Sequence, residues 1–222
     1  SPKLRARAVL ALANIHADQG DHFLSEMEAE RASEVAREGS MERLAAMALH
    51  THARVLSDQG QPAKAIDRYR KALQLYDRCG DSYEAARVRI NIGSCYAAIG
   101  KSRQSIRMLR ETLTEARTGG HRRLEAFAWS SLGEAYYRQQ DNRRAHGCFR
   151  ESDALAVYNN EKQPDILFFN AYYEWQMAIE EENPTREKIA FGRMKALRSC
   201  LERKFTEVDA FDDYVERGRC HA

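Results

Sequence analysis

Four side chains in this sequence are well equipped to hold a ligand: Asn14, Arg54, Arg87 and Asn91. An arginine offers a planar fork of donors that fits a carboxylate, and an asparagine both donates to and accepts from a backbone amide. Together they suit an extended peptide whose acidic or carboxylate groups face the arginines, and whose affinity falls as salt rises. His50, Glu134 and Tyr137 fall in or beside the same register. Glu134 repels acids, so the ligand's negative charge should end before it or give way to a base there. Any of these residues would also be at home on a solvated helix face, so their relevance depends on what turns them inward.

The remaining reactive side chains do not assemble into a site. Cys79, Cys95, Cys148, Cys200 and Cys220 are scattered singly, with no pair close enough in sequence to read as a metal or redox motif. They read as small packing residues in a reducing compartment. His50 and His52 lie two apart, so on a helix they face different ways and cannot share one ion. Glu180, Glu181 and Glu182 read as a solvated helix end. The sequence has no glycine-rich phosphate loop, no nucleophile elbow and no HExxH motif. The expectation is a chain that is not an enzyme and takes no cofactor or metal.

What positions the seven polar residues is a repeat. The column Ala13, Ala53, Gly93, Gly133 recurs every 40 residues. The same step links Ala6, Ala46, Ala86 and Ala126; His16, Leu56, Tyr96 and Tyr136; and Gly20, Gly60, Gly100 and Gln140. In the second half of each unit it links Ser25, Ala65, Ser105 and Ala145, and then Ala36, Tyr76, Ala116 and Ala156. Apolar residues three and four apart, such as Ile66, Tyr69 and Leu73, mark each half as a helix. Gly20, Gly60 and Gly100 end the first helix of a unit, and Pro62 suits the first turn of the helix that follows. Breaks between units fall at Gly39-Ser40, Gly80-Asp81, Gly119-Gly120 and Asn159-Asn160, where Ser40 and Asp81 are candidate caps. The small columns mark where two helices of a hairpin cross closely, with Ser105 and Ala145 opposite Gly93 and Gly133.

This pattern resembles the tetratricopeptide repeat (TPR) family over about residues 4–158. Leu132-Gly133, Tyr136, Ala145 and Phe149 stand at the family's signature spacing, although the 40-residue unit is longer than the family's usual one and is similar to those of Pins-type scaffolds, kinesin light chains and bacterial sensors. His52 and Gln140 depart from the residues the family prefers. The resemblance implies an all-α, right-handed solenoid of about five hairpins plus a C-terminal capping helix, eleven helices in all. Its four repeats are about 6–45, 46–85, 86–125 and 126–160, within residues 1–158. Residues 159–222 would hold a degenerate fifth hairpin and a cap over about 206–217. First helices of TPR hairpins line a concave face, so Asn14, His50, Arg54, Arg87, Asn91, Glu134 and Tyr137 become its peptide-binding candidates. Asn14, Arg87 and Asn91 match the carboxylate clamp of TPR co-chaperones in part, but Leu10 and Thr51 stand where that clamp has Lys and Asn.

Net charge is +2, from 35 basic and 33 acidic residues that interleave, so no basic stripe suggests nucleic-acid binding. No apolar run is long enough for a membrane span, no signal peptide opens the chain, and the abrupt start in repeat register, with Ser1 as a cap and Pro2 in the first turn, suggests a fragment of a longer protein. The tail is rich in aromatics. Phe168, Tyr172, Trp175 and Ile179 form one helical stripe and Phe169, Tyr173 and Met177 a second, which predicts either a cap for the solenoid or a ligand or homodimer surface at Phe168, Tyr172 and Trp175. This tail resembles that of bacterial regulators joining a helix-turn-helix (XRE-type) DNA-binding domain to TPR repeats. The implied function is the peptide- or protein-sensing module, and a dimerising one, of a cytoplasmic transcription regulator whose DNA-binding part is absent here. The alternative is a static scaffold or adaptor of the Pins, kinesin-light-chain or co-chaperone type.

Overall fold

A computed structural model describes residues 2–158, 161–201 and 205–219. Among them run eleven helices. The first eight are α1 (Pro2–Asp18), α2 (His22–Glu38), α3 (Glu42–Asp58), α4 (Pro62–Arg78), α5 (Ser82–Ala98), α6 (Ser102–Thr118), α7 (Arg122–Tyr137) and α8 (Asn142–Ala156). They start every 20 residues, half of the 40-residue period in the sequence. Each helix packs on the next, and α1 on α3, α5 on α7 and α7 on α9, as a stack of hairpins requires. α9 (Pro164–Glu180) and α10 (Pro184–Arg198) form the fifth hairpin, and α11 (Thr206–Arg219) closes the stack. Between α8 and α9 the chain forms a two-stranded antiparallel ribbon, β1 (Val157–Tyr158) with β2 (Glu161–Lys162), which the sequence did not announce. The break expected at Asn159-Asn160 and the cap expected at Ser1 lie outside the described residues, as does Cys220.

The 20-residue step has a backbone cause. Gly20, Gly60, Gly80, Gly100 and Gly120 all take positive φ, between 68° and 79°. This left-handed residue ends a helix and lets the next N–H reach back to the last turn, as in Asp21 to the His16 carbonyl (2.8 Å) and Gln61 to the Leu56 carbonyl (2.8 Å). Ser40 (φ 53°) and Gln140 (φ 61°) fill the same role without the freedom of glycine. Ser40 is therefore not a cap; that position belongs to Met41, which makes no side-chain capping bond. Asp81 does cap, accepting from the Glu84 N–H at 3.3 Å, and Asp21 and Asp141 cap α2 and α8 in the same way. Pro62, Pro164 and Pro184 all stand in the first turn of their helices.

Hairpin contacts pair a shrinking column with a bulky one. A Cβ on Gly93 would lie 2.6 Å from Leu109, and one on Gly133 would lie 2.4 Å from the Phe149 ring. The residues that fill the glycine space are thus one turn beyond Ser105 and Ala145, which are themselves fully buried. In the first hairpin the Ser25 hydroxyl donates to the Ala13 carbonyl at 2.7 Å, tying the two small columns directly. A repeated outer bond also follows the period: Arg70 to the Tyr96 hydroxyl (2.7 Å) and Arg110 to the Tyr136 hydroxyl (2.6 Å). Asn170 is fully buried and satisfied, meeting Ser130 (2.6 Å), Ser152 (2.9 Å) and Asp153 (2.8 Å), so α9 is pinned in register on α7 and α8.

The aromatic tail is core. Phe168 is buried between Phe205 (5.8 Å) and Phe211 (5.6 Å), both in edge-to-face contact, and Trp175 is buried against Phe191 and Tyr214. Tyr172 is half-buried on the same cluster. Of the two readings the sequence offered for Phe168, Tyr172 and Trp175, this packing is that of the cap: α10 and α11 cover the stripe. A helix apolar on two sides is covered on two sides, and here both covers come from the chain itself.

Candidate functional site

The first helices of the hairpins line a concave groove of about 920 Å³ that runs from α1 to the start of α11. Asn14, His50, Arg54, Arg87, Asn91 and Glu134 all lie in its wall, brought there from α1, α3, α5 and α7 by the 40-residue register. Tyr137 does not. Its hydroxyl donates to Glu180 at 2.6 Å and its ring meets Tyr173, so it fastens α7 to α9 outside the groove.

The groove residues arrive with partners. Arg54 pairs with Asp18 at 3.1 Å, Arg87 with Glu84 at 2.8 Å, Arg123 with Asp165 at 3.1 Å and Arg138 with Glu134 at 2.9 Å. Asn14 accepts from the Thr51 hydroxyl at 2.9 Å. His50 is held from both sides, by Arg87 at Nδ1 (3.2 Å) and Asn91 at Nε2 (2.9 Å). Arginine only donates, so Nδ1 accepts in this bond, and the amide nitrogen of Asn91 stands at Nε2. His52, two residues on, turns away to Glu26 at 3.2 Å. The pairing sets a cost on the acidic ligand expected from the sequence. An acidic ligand must displace Asp18 or Glu84 from its arginine, whereas a neutral polar ligand need not.

The α11 end of the groove was not foreseen from the sequence. Glu134 is buried beside Arg138, whose Nη2 reaches the Tyr173 hydroxyl (3.5 Å); that hydroxyl donates to Glu207 (3.2 Å). The chain Glu134–Arg138–Tyr173–Glu207 thus ties α7, α9 and α11. Burial first, then the Glu134 and Asp58 carboxylates, push the Glu207 carboxyl up to about 7. Burial likewise raises Glu134, against the pull of Arg138. Nothing in the local sequence marks these residues, because their meeting depends on how α11 folds back.

A pH dependence follows. The folded chain holds a proton on Glu207 that an unfolded chain, with a carboxyl near 4.3, has already released. Stability from α11 docking is therefore full below about 4.3, falls as pH rises towards about 7, and is flat above. The side chain borders the solvated groove, so the loss amounts to about 1–2 kcal/mol rather than the full desolvated value. Hydrogen exchange of α11 should be slower in its opening at pH 5 than at pH 8, and Glu207→Gln should remove most of that difference.

Cys95 and Cys148 are buried thiols, pushed up to about 11 and about 12 by burial, which leaves them protonated and unreactive. Among the described residues, no group of three or more His, Cys, Asp or Glu side chains is placed to hold a metal ion, and no helix is long and apolar enough to cross a membrane.

A family model for the tetratricopeptide repeat matches residues 4–78 and 44–117, together about half of the chain. The chain belongs to the tetratricopeptide repeat family. A search of curated protein sequences finds no match. Among solved structures, the apo form of RapI superposes with a TM-score of 0.71 at 18% identity, over 87% of this chain and 70% of RapI. BtubC (BKLC) from P. vanneervenii gives 0.66 at 18% identity, over 89% and 83%. A Rap protein complexed with competence and sporulation factor gives 0.68 at 18% identity, over 84% of this chain and 52% of that one. At such identity the likeness is one of fold. TPR-type helical repeats are protein-interaction scaffolds, and the groove is where such a scaffold offers its inner face.

Proposed function

We propose that this TPR chain is a non-enzymatic module whose concave groove binds an extended peptide or protein segment, and that it is the sensing part of a cytoplasmic transcription regulator. In this reading residues 1–158 are four repeats that build the groove, residues 159–222 hold the fifth hairpin and the cap, and the chain does not itself contact nucleic acid. The observation that carries it is the continuous groove of about 920 Å³ walled by hydrogen-bonding side chains on successive first helices. Support comes from the Rap protein of the same fold, solved with competence and sporulation factor bound. The tail's likeness to helix-turn-helix regulators supports the regulatory setting.

Charge placement shapes the ligand. The arginines of the groove are internally paired, and Asp58, Glu134 and Glu207 border its far end. The ligand therefore presents amides and hydroxyls along α1, α3 and α5, and a basic group towards α11. The test is selection from a random heptapeptide library on the purified chain, followed by titration of the selected peptides. Arg54→Ala and Arg87→Ala are expected to weaken them about tenfold each, the share of one charged hydrogen bond, with the helical content unchanged. Affinity should fall with salt for peptides that carry the basic group. Selected peptides that bind both alanine variants as tightly as the parent chain would refute the groove.

A further inference from the structure

Where the second copy meets the third, polar residues interrupt apolar columns. The column Ala36, Tyr76, Ala116, Ala156 holds one tyrosine among three alanines. The column Leu4, Leu44, Glu84, Leu124 holds one glutamate among three leucines. His50 stands in a column whose neighbours at 40-residue spacing are Leu10 and Ile90. These three residues come from α4, α5 and α3, yet the fold brings them to one small chamber of about 120 Å³. It opens beside the main groove, with which it shares Asn14, His50, Thr51 and Arg87. Packing asks for none of this polarity, since Ala36, Ala116 and Leu124 fill the equivalent places as buried apolar residues.

Two donors of the chamber, the Tyr76 hydroxyl and Arg87 Nε, are not spent on the other groups. Tyr76 is 0% exposed, and its hydroxyl has no hydrogen-bond partner in the protein. Arg87 Nε is shielded and likewise without one, while Nη2 of the same side chain holds Glu84 and His50. Burying donors without acceptors costs stability, and a ligand that supplied the acceptor would offset it. The charges around the chamber cancel: Arg87 against Glu84, and Arg43 against Asp81 at 2.9 Å. A carboxylate entering would meet Glu84, and an ammonium would meet Arg87. A group with an acceptor and a donor side by side meets neither objection. Its oxygen would suit the donors Tyr76 hydroxyl and Arg87 Nε, and its NH₂ the acceptor Glu84.

We infer that this chamber is a side-chain subsite of the groove that takes a primary carboxamide, the end of an Asn or Gln side chain on the bound peptide. The inference rests on the peptide-groove reading, and its test separates the two. The probe is acetamide, titrated into the isotope-labelled chain and into Tyr76→Phe by NMR, with acetate and methylammonium alongside. Acetamide is expected to shift the signals of Tyr76, His50 and Arg87 in the parent chain and to bind Tyr76→Phe about tenfold more weakly, the loss of one hydrogen bond. Tyr76→Phe without ligand should melt no lower than the parent, because the hydroxyl it lacks has no protein partner; this separates lost binding from lost fold. In the heptapeptide selection the parent should enrich Asn or Gln at one position, and Tyr76→Phe should lose that preference while keeping the others. Acetamide that leaves the three signals unmoved, acetate that binds more tightly than acetamide, or a Tyr76→Phe chain that binds acetamide equally well would each overturn the inference. Acetamide binding as expected with no peptide selected would refute the groove reading and leave the chamber's chemistry standing. Peptides selected without an amide preference, with acetamide inert, would do the reverse.

Discussion

Phe168→Ala is expected to destabilise the C-terminal end of the solenoid by about 3–5 kcal/mol, the usual cost of emptying a buried phenylalanine site. Its ring is wedged between Phe205 and Phe211, so the deletion removes one of the contacts by which α9 holds α11. In a repeat protein the damage stays near its origin, so α9, α10 and α11 should loosen while α1 to α4 keep their protection. The chain has two tryptophans, and Trp175 lies in the affected cluster, so its fluorescence is a local reporter. The outcome also decides between the two roles the aromatic stripe could have. A core residue lowers the melting temperature and leaves the oligomeric state alone. A variant that melts like the parent but loses a dimer in sedimentation would show that the stripe is an interface after all.

A glycine pair gives the second large effect, with opposite signs for the same substitution. Gly133→Ala adds helix propensity worth about 1 kcal/mol, yet its new Cβ would lie 2.4 Å from the fully buried Phe149 ring. The ring has nowhere to go, and overpacking of this kind costs about 1–3 kcal/mol, so a net loss is expected, larger still for Gly133→Leu. Gly147, also inside a helix, has nothing within 4 Å of its added Cβ. Gly147→Ala should therefore stabilise by about 0.5–1 kcal/mol. Thermal melts of the two alanine variants beside the parent test the register directly. If both shift the same way, α7 and α8 do not cross at Gly133.

The sequence by itself determined the architecture, because a solenoid is periodic and its packing is local. The columns through Gly93 and Gly133 could be read without coordinates: close crossings demand small residues at fixed steps, and each hairpin repeats the demand. The same register put Asn14, His50, Arg54, Arg87, Asn91 and Glu134 on the inner wall, since the facing of a residue follows from its place in the period. What the period cannot encode was decided only by tertiary structure. Arg54 and Arg87 met Asp18 and Glu84, pairs set by side-chain reach that the period does not show. Tyr137 was drawn out of the wall by Glu180 in the next hairpin. Phe168 and Trp175 suited a cap or an interface, because an apolar stripe states that it will be covered and not by what. α11 supplied the cover by folding back through a non-periodic contact, and the same contact carried Glu207 to Tyr173 across residues 34 apart in sequence. The polar chamber lies between these extremes. Tyr76 and Glu84 are visible as breaks in two apolar columns, but only the crossing of α3, α4 and α5 shows that both breaks open into one space.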